Sequence, residues 1–343
     1  MYKFRGNLFA FVTVLVSFWA ASGVAQERLK LSVMAPGTST YLIMTNFSAA
    51  VNAGQNTVSI LTDSKGVQTR HMLDVALGRT DFALTTPHAF NHMRNGTGMY
   101  QQQEQAPDLA NDLRLLFWFP NGPYQAVLSA DLAIARLRDF RGLRIFLGPP
   151  GSDDFLLMRD WLSAVARLEF GVDYEPIAGS WLEALTAFRR GEIDVYFTPG
   201  IAPHSFVPTL ARGAPVRLVG LSRDEKRAIE NDTTLEANQM LQSLGRSLIE
   251  IPEGAYGEGV LQSGPQSGLS SLTGLVVHRN MSEDQVYEIV KTFWASKPSL
   301  DARGAYMQSV SQQNAFLDTS IPLHPGALRF YRESGWAVPP ALQ

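Results

Sequence analysis

The sequence predicts an α/β protein built as two lobes, and three observations carry that prediction. Strand-like and helix-like runs alternate from Leu29 onward. The alternation breaks at Asn121-Gly122-Pro123, and it then restarts in the same order of strand, Gly-Pro turn and helix. This is the βαβ rhythm of a mainly parallel sheet with helices on its faces. A chain of 343 residues suits roughly two domains at ~150 residues each.

The elements follow from local pattern. Leu29, Leu31 and Val33 alternate as a strand and run into a Pro-Gly turn, after which Tyr41 to Ala50 reads as a helix. Thr57 to Thr62 is a strand, and Val67 to Leu77 a helix stopped by Gly78. Asp81 to Thr85 and Leu113 to Phe119 are buried-strand runs, and Tyr124 to Ser129 is extended. Past the break, Arg144 to Leu147 is a strand, Gly148-Pro-Pro-Gly151 a turn, and Asp153 to Leu168 a helix. Ser180 and Glu183 have capping-box spacing, and Gly191 closes the helix they open. Ile193 to Phe197 and Val216 to Leu221 are strands, and Ser222 to Gln242 is a solvated helix. Gln262 to Ser271, rich in Gly and Ser, reads as a loop before a strand at Leu272 to His278. Ser282 and Gln285 again have capping-box spacing, and the remainder is helical. These breaks predict a first lobe of residues 26–123 plus 279–343 and a second of 124–278.

The first 25 residues stand apart. Lys3 and Arg5 precede an apolar run from Leu8 to Ala21, and Gly23-Val24-Ala25 offers small residues for cleavage before Gln26. The run is shorter than the ~20 residues a membrane span needs, so a cleaved signal peptide is expected rather than an anchor. The formal charge of −3 becomes −5 once Lys3 and Arg5 are removed. A nucleic-acid binder would be basic, and no later segment is apolar enough to enter a membrane. The expected product is soluble and periplasmic. Without cysteine, it has no disulfide, thiolate metal site or Cys nucleophile.

In parallel α/β sheets ligands bind beyond the carboxyl ends of strands. Two segments lie there, Pro36 to Tyr41 and Gly148 to Asp154. Each opens a helix whose free N–H groups and dipole favour an anion. The hydroxyls of Thr38, Ser39, Thr40 and Ser152 add hydrogen-bonding capacity; alternatively, they only cap their helices. Lys65, between a strand and a helix, is either a partner for a carboxylate or a solvated surface lysine. Asp153 and Asp154 are a carboxylate pair or complements to the helix dipole. His88 and His92 have i, i+4 spacing without the surrounding pattern of a zinc site, so no metal or cofactor is expected. No nucleophile elbow or acid–base set is legible, so no enzyme is expected.

The order and spacing of several segments resemble the TAXI-type solute-binding subunits of TRAP transporters, from about Leu29 to Gly335. The pieces are Ala35 to Tyr41; Lys65-Gly-Val-Gln-Thr69 followed by Leu77 to Ala83; Leu137 to Ser152; and Gly191-Glu-Ile-Asp-Val195 with Gly200 to Pro203. The most specific are Ile251-Pro-Glu-Gly-Ala-Tyr256 and Ile321 to Gly335. The resemblance implies a type II periplasmic-binding-protein fold, two α/β lobes joined by a two-segment hinge that closes on a solute. It implies a small carboxylate such as glutamate or 2-oxoglutarate, delivered to a TRAP membrane permease. It also implies that Thr86 and His88 occupy ligand-contact positions, where the family carries Gln and Asp. The expected cleft is therefore Thr38, Ser39, Thr40, Tyr41, Lys65, Thr86, His88, Ser152, Asp153 and Trp181. Tyr41 and Trp181 serve as its walls or, alternatively, as core aromatics. Two rival functions use the same fold: a sensory receptor that presents solute to a membrane kinase, and an enzyme such as a pyrimidine-precursor synthase.

Overall fold

A computed structural model describes residues 26–34, 36, 38–204 and 206–343. The expected signal peptide, residues 1–25, lies outside the described residues. In chain order the first elements are β1 (Glu27–Ser32), α1 (Ser39–Gly54), β2 (Val58–Asp63), α2 (Gln68–Ala76), β3 (Phe82–Thr85), α3 (Pro87–Asn95), α4 (Ala106–Ala110) and β4 (Leu113–Ser129). Then come β5 (Arg144–Phe146), α5 (Asp153–Ala166), β6 (Glu175–Pro176), α6 (Trp181–Arg189), β7 (Val195–Pro199), α7 (Phe206–Leu210) and β8 (Val216–Val219). The chain ends through α8 (Arg223–Asn231), α9 (Glu236–Leu244), β9 (Leu248–Ile251), β10 (Val260–Leu261), β11 (Gln266–His278), α10 (Glu283–Asp301), α11 (Ala305–Gln308) and α12 (Pro325–Glu333).

The expected α/β architecture of two lobes joined by two segments is present. The strands run in the order β2-β1-β3-β11-β4-β7-β5-β6, with β8 and β9 branching from β4 and β11 and β10 beside β8. The β1–β2, β1–β3, β5–β6 and β5–β7 pairs are parallel. The two long strands β4 and β11 lie antiparallel to each other and to their neighbours. They serve both lobes. Leu113 to Phe119 and Leu275 to Val277 pack into one core with β1–β3, α1 and α10. Tyr124, Ala126, Leu128 and Leu269 pack into another with α5 and α9. A third cluster fills the far side of β7 with Trp181, Phe188 and Phe206.

Four local expectations are corrected. Asn121-Gly122-Pro123 does not end a strand, because β4 continues through it for 17 residues. Gly122 makes that continuation feasible: its φ is +78°, and a Cβ there would sit 2.4 Å from the Gly200 carbonyl carbon. Gln266 to Ser271 is not loop but the first half of β11, where Gly268 passes so close to β4 that a Cβ would lie 2.0 Å from the Tyr124 carbonyl oxygen. Small residues here answer to close backbone approach, not to turn formation. The Ser222 to Gln242 stretch is two helices, α8 and α9, and the Ser282 side chain does not cap α10. The Ser180–Glu183 capping box forms as spaced.

Candidate functional site

A cleft of about 310 Å³ opens between the lobes. Its walls lie just past the carboxyl ends of β1, β2, β5 and β6, where an α/β sheet leaves helix N-termini exposed. One wall is Met34, Pro36, Ser64, Gly66, Val67 and Gln68; the other is Pro149, Ser152, Ser180, Trp181 and Leu182. The N-termini of α2, α5 and α6 thus meet at one space. They differ in how they are satisfied. Ser152 caps α5, and Asp153 and Asp154 occupy its first turn. Ser180 and Glu183 cap α6 reciprocally. No side chain caps α2, whose first turn holds no acid.

Beneath the cleft lies a chamber of about 20 Å³ lined by Thr38, Thr40, Thr86, Asn121, Asp154, Ser271 and Thr273. Met34, Gln68 and Trp181 line both spaces, which are therefore adjacent. Several polar atoms are buried without a partner: Gln68 Nε2, Asn121 Oδ1 and Trp181 Nε1. A buried polar group left unmatched costs ~1–3 kcal/mol, so three around one small space mark a site prepared for something else to complete. Among the described residues that line the two spaces, Asp154 is the only charged one.

The two adjacent acids have opposite fates. Asp153, 1% exposed, reaches across the lobe boundary. It accepts a 2.5 Å hydrogen bond from the Thr86 hydroxyl and another from His88 Nδ1. Burial pushes its carboxyl up, but the His88 bond, the His88 and Arg246 charges and the Thr86 hydroxyl outweigh that and hold it below the usual carboxylate range. Thr69 Oγ1 adds a 3.0 Å bond to the Gly151 carbonyl over the same boundary. Asp154 faces inward and accepts a 2.5 Å bond from the Tyr124 hydroxyl. Burial, aided by the charge of Asp153, pushes its carboxyl up to about 6 despite the Tyr124 bond and the Arg246 charge. Arg246 is itself buried: one guanidinium nitrogen donates to the Ser270 carbonyl at 2.6 Å, and Nη2 has no partner.

Of the residues expected at the site, Thr38, Thr40, Thr86, Ser152 and Trp181 line the cleft or its chamber. His88 and Asp153 face one another instead, and His88 Nε2 lies 3.0 Å from His92 Nε2. Ser39 is buried with its hydroxyl unpartnered and lines neither space. Tyr41 packs against the first lobe's core, the alternative reading of that residue. Lys65 is exposed. Its carbonyl receives a 2.6 Å bond from His71, and its neighbours Ser64 and Gly66, not Lys65, line the cleft. The sequence reading missed Gln68, Asn121 and Arg246. Asn121 carried a signal, a polar residue at the break in rhythm; Gln68 and Arg246 carried none.

Residues 34–335 match the family described as NMT1-like. Among solved structures, the chain resembles a TRAP periplasmic solute-binding protein from a Sulfitobacter species with bound β-D-galacturonate. The identity is 10%, covering 91% of this chain and 88% of that one, with a TM-score of 0.48. It resembles another from Shewanella oneidensis with bound succinate at 14% identity, over 90% and 92% of the two chains, with a TM-score of 0.46. The alkanesulfonate-binding protein SsuA from Xanthomonas axonopodis pv. citri, bound to MOPS, matches at 15% identity over 91% and 85%, with a TM-score of 0.47.

Proposed function

The chain belongs to the NMT1-like family, and on that premise we propose that it is a periplasmic, non-catalytic solute receptor of a TRAP-type secondary transporter, of the TAXI kind. The observation that carries this reading is the inter-lobe cleft, where three helix N-termini meet around unpartnered buried donors. Such a space is built to bind, and the described residues that line it show no paired nucleophile and base of the kind acyl or phosphoryl chemistry needs. Export follows from the signal peptide read in residues 1–25, and among the described residues no helix is long and apolar enough to cross a membrane. The partners are a small solute and a TRAP membrane permease.

The solute is small and polar and bears a carboxylate, as glutamate or 2-oxoglutarate does. The carboxylate rests at the N-terminus of α2, which no side chain caps, and takes a hydrogen bond from Gln68 Nε2. The α5 terminus already faces its own two acids and is the poorer anion site. Thr38, Thr40, Thr86, Ser152 and Trp181 contact the rest of the solute. The lobes are residues 26–123 with about 272–343, and 124 to about 271, so the return crossing falls earlier than the expected 278. Because Leu275 to Val277 pack with the first core, β11 changes lobes near Ser271, ahead of its end.

Native mass spectrometry of freshly purified periplasmic protein tests this reading. The expected result is one small carboxylate-bearing solute per chain, released on unfolding and unchanged by incubation. Conversion of the solute to a product would overturn the receptor reading, and a solute without a carboxylate would overturn the ligand class.

A further inference from the structure

We propose that the inner chamber is an amine subsite: it seats one protonated amine of the solute between the Asp154 carboxylate and the Asn121 carbonyl. This rests on the receptor reading above and narrows it. A chamber of about 20 Å³ admits roughly one water-sized group, which is the size of an ammonium head and too small for a second carboxylate. Two unpartnered atoms of its lining, Gln68 Nε2 and Trp181 Nε1, are donors shared with the outer cleft and are left to the carboxylate; the atoms that line the chamber alone select for a donor. Asn121 is 5% exposed and its Oδ1 has no partner. Asp154 supplies the only charge among the described lining residues, and that charge is negative.

The nearby charges have other partners. Asp153 is engaged by Thr86 and His88. Arg246 acts on Asp154 through space, but its guanidinium donates to the Ser270 carbonyl, and it lines neither space. The Tyr124 hydroxyl already donates to one Asp154 oxygen. A second carboxylate placed in the chamber would meet Asp154 with no lining cation to offset the repulsion, whereas an ammonium would form a charge-assisted hydrogen bond. Gln68 and Trp181 line both spaces, so a solute whose amine and carboxylate are close neighbours can satisfy the chamber and the α2 terminus together. Simple dicarboxylates and oxo acids lack the donor and leave Asn121 Oδ1 unmatched.

Isothermal titration of the full mature chain with matched pairs of probes tests the inference: glutamate with glutarate, valine with isovalerate, and phenylalanine with hydrocinnamate. The expected result is that at least one amino acid binds ten times or more tighter than its amine-free partner. Asp154→Asn should erase that preference by weakening the amino acid only, with its circular dichroism spectrum unchanged. An amine-free acid that binds as tightly as its partner, or an Asp154→Asn variant that keeps the preference, would overturn the amine subsite and leave the receptor reading intact. Binding of neither member of any pair would overturn both.

Discussion

Replacing Asp154 by Asn should stabilise the unliganded protein at neutral pH. In the folded chain burial raises the Asp154 carboxyl from 3.8 to about 6. Because the folded pKa is the higher one, the folded state holds a proton between these values that the unfolded state has released. Stability therefore falls as pH rises through this window, and the full penalty is present above about 6. Each pKa unit corresponds to about 1.4 kcal/mol, so ionised Asp154 costs about 3 kcal/mol at pH ~7.5. Asparagine is nearly isosteric, carries no charge, and keeps a carbonyl to accept from Tyr124. The variant should be more stable by up to about 3 kcal/mol at pH ~7.5 and converge with the native chain near pH ~4. Urea unfolding across that pH range, followed by tryptophan fluorescence, measures both. Equal or lower stability of Asp154→Asn at pH ~7.5, or parallel pH profiles, would refute the reasoning. A protein that retains so costly a charge beside a chamber is paying for something other than stability, which is the pattern expected of a binding group.

Asp153→Ala removes two charge-assisted bonds between the lobes, each contributing ~1.5–3 kcal/mol, so small-angle scattering should report a more open molecule with a larger radius of gyration. Acidification should act the same way: the Asp153 pKa is lowered by folding, so its stabilising contribution is present above the unfolded value near 3.8 and is lost as pH falls through the folded value. An unchanged radius in the variant would show that the bonds do not hold the lobes. Gly122→Ala places a Cβ 2.4 Å from the Gly200 backbone at φ +78° and should lower stability by about 3 kcal/mol or more in urea unfolding; an unshifted midpoint would contradict the close approach. Lys65→Met, at an exposed side chain outside the cleft lining, should change solute affinity less than about twofold in titration calorimetry. A tenfold loss would restore Lys65 as the carboxylate's partner.

The βα units of the first lobe were legible because each strand and helix carries its own periodicity and punctuation. Leu29, Leu31 and the buried Val58 and Ile60 alternate as read, and the Gly-closed helices end near where expected. The crossover strands were not legible. In β4 and β11 the glycines and serines answer to a neighbouring backbone that local sequence cannot reveal, so close packing wrote the same letters as a turn. The site divides along the same line. Thr38, Ser152 and Ser180 were visible because a cap has local grammar: a hydroxyl before a helix. Asp153 and Asp154 look interchangeable in sequence, yet successive residues in a helix point about 100° apart. One acid meets Thr86 of the other lobe; the other meets Tyr124 beneath it.

That divergence also bears on how the cleft works. Among the described residues, side-chain hydrogen bonds from Thr69, Thr86 and His88 to Gly151 and Asp153 tie the lobes beyond the two crossover strands. Every one of these groups can bond to water when the lobes part, so the net preference for closure is the small remainder of a large exchange. The unmatched Gln68, Asn121 and Trp181 atoms oppose closure, since opening hydrates them. In the receptor proposed above, a tie that favours the closed form and unmatched atoms that disfavour it oppose one another while the cleft is empty. A solute that satisfies those atoms removes the opposing contribution and leaves the tie. By population-shift arithmetic, about 3 kcal/mol of differential binding moves such an equilibrium more than a hundredfold. Closure is then a consequence of what fills the chamber, and a solute that fills only the outer cleft should bind without closing the lobes.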